Sequence, residues 1–594
     1  MKKIILCAGI AALAVGCKKN PATATLDAGS TAAVATPPPA TGTPPSTTPP
    51  ASAAGGEVGA QQQVSDCPKS LGGNEEVART IKKECGPITV TSNYYVDGSL
   101  TLEAGAQLKI QDGVELAIGY NKAAKLIVKG TAEEPVLMTA AGDAVPGSWK
   151  GLRLYRNADR SQLVGLVVEH AGDDRGALYI AANDVVVKGG AVRSTKEIGL
   201  FIDGEGSVSE LSGMTFEKTG GAALSVMAGT VGGLGAGNKF DEGAVIEVRG
   251  GEVDKSTKWQ NAGAPYQVTQ DLYVQGKNNV RAVLEIQPGI ELRFGDGVEL
   301  AVGYASAGTL AAVGTAEKPV TFTSSSDKAP GAWPGVSLYR QGEGRFENAV
   351  FEAGGGTDDY RGGVYAQNGS TLAVKGCTFK GNRTGLSIEV GVKVKGISGS
   401  SFEGSEKKAM SIGPNDLGMV AADNKFGENE RIEIQGGEVE TSQTWNALPA
   451  VLEVQQDIQI NKRSTLTLAP GLELRFRDGT GLGVGYSDES ALKAVGTAEA
   501  PIKLHGSREE AGAWEGITVH GTARDVVLEH VVLAHTGGAA GVHVHGAATV
   551  KATDVTCNKC AGGVITWECP SKVTNAEIKA GEGTPAAEIK PEGC

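Results

Sequence analysis

The sequence predicts an all-β protein, a solenoid of short strands built from three homologous modules and preceded by a Pro/Thr/Ala-rich tether. Three observations predict it: a long internal repeat, a two-residue apolar alternation punctuated by turn residues every eight to twelve positions, and a finer repeat of 22–24 residues.

The long repeat is explicit. DGVELAIGY from Asp112, DGVELAVGY from Asp296 and DGTGLGVGY from Asp478 stand 184 and 182 residues apart. Each is followed by GTAEEPVLMT, GTAEKPVTFT or GTAEAPIKLH, beginning at Gly130, Gly314 and Gly496. Next come PGSWKGLRLY, PGAWPGVSLY and AGAWEGITVH, which put Trp149, Trp333 and Trp514 at equivalent places. A connector also recurs, with Trp259 and Trp445 186 residues apart. Self-similarity of this length defines the architecture before any single element does.

Within a module the apolar residues alternate. Leu100/Leu102, Leu108/Ile110, Leu116/Ile118, Leu126/Val128, Val136/Met138 and Leu152/Leu154 each place two apolar side chains on one face of a strand. Gly, Asn and Asp separate the pairs, as strand–turn–strand packing requires. Only Glu75–Lys83 carries a helix-like pattern. The finer repeat separates the two architectures that suit such a pattern, a sandwich array and a solenoid. GCTFKGNRTGLSIEV and GSSFEGSEKKAMSIG place Phe379 and Phe402 23 residues apart, and module one places Val192 and Phe216 24 apart. That length fits one turn of a right-handed parallel β-helix, whose strands bond to the turns above and below.

Here the chain resembles bacterial right-handed β-helix proteins of the pectate-lyase-like kind. TLAAVGTAEKPVTFTSSSDKAPGAWPGVSLY is close to their pattern L-x-V-x-G-T-x-x-x-P-V-x-F-T-S followed by G-x-W-x-G-V. The likeness covers roughly residues 90–575 and implies the fold; one architecture serves many functions, so it implies no activity. The Asn-Thr-Asp and Gly-His-Gly clusters of polysaccharide-cleaving relatives do not occur in this sequence.

The other end of the chain predicts its address. Residues 1–16 join Lys2 and Lys3 to an apolar stretch from Ile4 to Val15, the anatomy of an export signal. Ala14-Val15-Gly16-Cys17 resembles the bacterial lipobox, which implies cleavage before Cys17 and acylation of that cysteine. Lys18 follows it, where the lack of an acidic residue favours the outer membrane. Residues 17–66 then read as a lipid-anchored disordered linker, too poor in apolar residues to offset the entropy of folding. Its prolines would let it reach about 150 Å if fully extended, or about 40 Å as a coil.

The domain organisation expected is therefore a signal peptide (1–16), the linker (17–66), an N-terminal cap bracketed by a disulfide (67–90), and modules at 91–260, 261–446 and 447–594. The last carries a Cys-rich C-terminal cap. In an exported protein, Cys67, Cys85, Cys557, Cys560, Cys569 and Cys594 read as disulfides that close the ends of the solenoid. Spacing leaves three connectivities open for the last four. Cys377 aligns with Ser400 and reads as a buried thiol.

Net charge is −13, and no basic stripe lies outside Lys2–Lys3 and Lys18–Lys19, which excludes nucleic acid as a partner. Three constellations carry chemistry. Asp173-Asp174-Arg175, echoed by Asp358-Asp359-Tyr360-Arg361, offers paired carboxylates beside an arginine for acid/base work on a sugar or for calcium. Module three loses these charges and reads HTGGAAGVHVH, so a solvated turn is the favoured reading. Six of the seven histidines lie in module three. Of these, His520 aligns with Tyr155 and Tyr339, and His543 with Tyr179 and Tyr365. His520 and His543 are 23 residues apart, one turn, and His545 shares the face of His543, so a zinc or copper ladder is conceivable. Otherwise no cofactor is expected. The repeated tryptophans either stack on glycans or anchor the core, and their place before an apolar strand favours the core.

Two functions follow. The favoured one is a non-catalytic envelope lipoprotein, held in the membrane by its lipid, whose rod binds a glycan or another envelope protein. The rival is a carbohydrate-active lyase or hydrolase working in a solenoid groove.

Overall fold

A computed structural model describes residues 67–574, 577–585 and 588–589. The lipobox, Cys17, the linker and Cys594 lie outside the described residues. All the described residues belong to one compact unit.

The alternation seen in the sequence becomes a wall. In Ser99–Glu103 and Gln107–Ile110 every second side chain is buried. Each turn of chain lays down three such strands, and the next turn pairs with it in parallel. Gln107–Ile110 thus lies under Val136–Ala140, Glu115–Ile118 under Gly151–Leu154, and Lys125–Lys129 under the start of Gln162–Glu169. Backbone groups are satisfied between turns, and the described strands fall into four sheets whose edges lie at the ends of the rod and at the connectors between modules. About 21 turns result, in a parallel β-solenoid. Its inner side chains form one continuous apolar core from Leu71 to Trp567.

Residues repeat on themselves along each ladder. Leu108, Met138, Val168, Val192, Phe216 and Phe240 sit one above another. Module two builds a phenylalanine stack in the corresponding place. Phe322, Phe351, Phe379, Phe402 and Phe426 follow with ring centroids 5.0, 5.1, 4.8 and 5.2 Å apart. The tryptophans belong to the same core. Trp149, Trp333 and Trp514 are fully buried. Their indole Nε1 groups donate to the carbonyls of Glu169, Glu352 and Ala534 at 2.8, 2.9 and 2.7 Å.

The modules are joined with an offset. Leu108 of module one and Leu292 of module two are equivalent by repeat, yet they occupy different ladders. Leu292 continues the ladder Leu116–Leu152–Leu178–Leu200–Leu224–Ile246–Tyr266. Leu474 in turn continues the ladder that carries Leu300, Val336, Val364, Leu386, Met410, Ile432 and Leu452. Each module therefore begins one face further round the rod. In the connector Ile246–Val248 and Gly251–Val253 follow each other with two residues between them and join ladders of two different sheets. Gly250 turns between them at φ +65°, and a Cβ there would stand 2.5 Å from the carbonyl oxygens of Gln270 and Asp271. The same device recurs at Arg431–Ile434 and Gly437–Val439.

One expectation changes at the N-terminal end. The helix-like pattern of Glu75–Lys83 is not a helix: it spans the end of one strand, a second strand (Arg79–Ile81) and the start of the 3-10 turn Lys83–Cys85. Pairing decides this, because Arg79–Ile81 bonds to Leu100–Leu102 and buries Ile81. The stretch 67–90 is itself the first turn of the solenoid, since Ser70–Glu75 pairs in parallel with the strand above it.

Cys67 and Cys85 are bonded across that turn, 18 residues apart. Cys557 and Cys560 are bonded to each other, a local clip on the strand Thr549–Asn558. Cys569 is disulfide-bonded as well. Cys377 is a free buried thiol, pushed up to about 12 by burial.

Candidate metal centre

In several turns a ring stands on the outward side of a strand or just past its end, because a two-residue period sends every second residue to solvent. In module one Tyr95, Tyr120, Tyr155, Tyr179 and Phe201 run along the rod with centroids 5.3, 5.0, 6.0 and 6.0 Å apart. Module two repeats the start of the row with Tyr273, Tyr304 and Tyr339 at 5.9 and 4.9 Å. In module three the row becomes Tyr486, His520 and His545, at 5.1 and 5.8 Å, with His543 beside His545 at 3.8 Å. The one-face advance of each module turns the three rows toward different sides of the rod.

Polar ties fix the tyrosine rows. The Tyr179 hydroxyl donates to Asp203 at 2.5 Å, and that of Tyr365 to Glu389. Arg175 donates to Tyr155 at 3.0 Å and lies 3.5 Å from Glu115. Arg361 reaches Glu299 at 2.7 Å. Module three has Gly481 in place of Glu115 and Glu299, and Ala539 in place of the two arginines, so the cross-turn ion pair disappears as a unit.

This places the predicted acid/base residues. Asp173 accepts from the fully buried Arg153 at 2.5 Å and from the backbone N–H of Arg175 at 2.9 Å. Asp174 is exposed. Asp358 accepts from Arg361 at 3.3 Å. Asp359 accepts from Lys407 and, at 3.0 Å, from Arg383. Those two cations hold the Asp359 carboxyl below the usual carboxylate range, opposite to the shift a general acid needs. Asp173, Asp358 and Asp359 thus tie their loops to cationic side chains, two of them on neighbouring turns.

The metal candidates converge in part. His543, His545 and Glu568 each offer one ligand atom, and the three atoms lie within 4.8 Å of one another. Nδ1 of His545 is 3.1 Å from Glu568, and Nε2 of His543 is 3.7 Å from it. His520 stacks on the far side of His545, nearly parallel at 12°, and is not one of the three. Spacing had placed His520 in the site; the third member is Glu568. Glu568 was overlooked, although it aligns with Asp203 and Glu389 and so with the carboxylate that meets the ring in each module. The remaining histidines of module three belong to another face. His505 pairs with Glu473 at 3.1 Å and sits 6.3 Å from the ring of His535, while His530 meets Asp554 at 2.9 Å. Burial, then the neighbouring imidazoles, lowers the pKa of His520 and of His543. Neutral imidazole is the form that ligates a metal.

No curated protein and no solved structure shows significant similarity to this chain. Residues 81–172 match the family model described as a pectate-lyase like beta helix domain, in line with the parallel solenoid that this stretch begins.

Proposed function

We propose that this protein is a lipid-anchored envelope protein whose solenoid serves as a rigid, non-catalytic scaffold that binds a glycan or another envelope protein. In this reading Cys17 carries the lipid, which contributes about 0.8 kcal/mol per buried CH₂. Residues 18–66 hold the rod away from an outer membrane. The observation that carries the non-catalytic part is the use made of the acidic loops: Asp173, Asp358 and Asp359 are bound to cations, and their arginine–glutamate framework is absent from module three.

Two measurements test it. Cells given labelled palmitate should label the wild-type chain and not Cys17→Ser; label retained in that variant would refute the anchor. Incubation of the protein with a panel of polysaccharides should release no product. Cleavage that is lost in Asp358→Asn/Asp359→Asn would establish the enzyme instead.

A further inference from the structure

We propose that His543, His545 and Glu568 form a binding site for a single first-row transition-metal ion of the zinc–copper class. Two imidazoles and one carboxylate form a borderline donor set. Calcium and magnesium favour all-oxygen sites with more ligands, whereas zinc and copper favour nitrogen-rich ones.

The geometry is near that of a bound ion. Donors about 2.0–2.2 Å from a tetrahedral centre stand about 3.4 Å from one another. Nδ1 of His545 stands 3.1 Å from Oε2 of Glu568 and Nε2 of His543 3.7 Å from its Oε1, both close to that value, and one ligand atom from each residue lies within 4.8 Å of the other two. His543 and His545 project from the same side of one strand run because their spacing is two. Glu568 comes from the turn above, where Val542–Val544 pairs with Ile565–Trp567. The backbone positions of all three donors are therefore set by the ladder. The side chains are 23, 34 and 56% exposed, so an ion can enter from solvent and a fourth coordination position faces water. His520 packs flat against His545 from the turn below.

Comparison among the modules shows what was altered. Modules one and two pair a tyrosine with a carboxylate at this point, Tyr179 with Asp203 and Tyr365 with Glu389. Their counterparts of His545 are Ala181 and Gln367. Module three exchanges the phenol for an imidazole, keeps the carboxylate and adds a second imidazole beside it. Exchange of one ring for another along a decorative stack would not require the second change.

The site is tested on the full chain, in detergent, by calorimetry with Zn²⁺ and with Cu²⁺. One ion should bind per chain, Cu²⁺ more tightly than Zn²⁺, and excess Ca²⁺ or Mg²⁺ should not compete. His543→Ala and His545→Ala should each weaken binding about 100-fold, and Glu568→Gln about 10-fold. Far-ultraviolet circular dichroism of each variant should match wild type, since all three side chains are on the surface. The resonance spectrum of bound Cu²⁺ should show two coupled nitrogens in wild type and one in His543→Ala. His505→Gln/His535→Gln should bind as wild type does. Absence of saturable binding of either ion would overturn the site, as would wild-type affinity in His543→Ala/His545→Ala. Loss of binding in His505→Gln/His535→Gln would place the ion elsewhere and overturn it equally. None of these outcomes depends on the lipid anchor or on the absence of catalysis.

Discussion

Asp416 precedes the 3-10 turn Leu417–Met419, and burial alone pushes its carboxyl up from 3.8 to about 6. A raised carboxyl favours the protonated fold. Its contribution is complete below pH 3.8 and is lost as pH rises through about 6. Asp416→Asn should therefore stabilise this part of the rod at pH 7.5, by roughly 1–3 kcal/mol, and have little effect below pH 4. Hydrogen exchange of the amides around 417–420 at the two pH values would show this; equal protection of both proteins at pH 7.5 would contradict it. Residue identity was the most legible level in the sequence. The three repeated tryptophans were assigned to the core because each precedes an apolar strand, and all are fully buried. Cys377 was read as a buried thiol, and it is one. Asp416 escaped notice because its environment comes from packing that no local pattern records.

At the scale of elements, each strand is stabilised chiefly by its like neighbours above and below. Phe379 lies between Phe351 and Phe402 at 5.1 and 4.8 Å. Removing its ring would open a cavity inside a stack, so Phe379→Ala should cost about 3–5 kcal/mol. A solenoid couples nearest neighbours only. Faster amide exchange should accordingly be confined to the two or three turns around residues 351–402, and uniform loss along the rod would disprove that picture. The strand pairs and the 23- and 24-residue turns were visible in the sequence because burial imposes the two-residue period directly. Glu75–Lys83 was less legible. Its charged, helix-favouring composition is overridden by ladder pairing with Leu100–Leu102, a partner about twenty residues away.

At the largest scale, the length of the described solenoid follows from its turns. About 21 turns at 4.7–4.9 Å each give roughly 100 Å for the solenoid body. Electron micrographs should show single straight particles of about that length; jointed particles made of three short segments would exclude one continuous stack. The sequence by itself determined the repeat, the turn length, the inward faces and the residues that anchor them, because each depends on neighbours within one strand or one repeat. Tertiary structure alone decided the one-face advance at each connector and hence the direction in which each outer row points. It also brought Glu568, rather than His520, to His543 and His545. The physical reason is common to both: they depend on which strand of one turn lies against which strand of the next, and no single segment of the chain records that pairing.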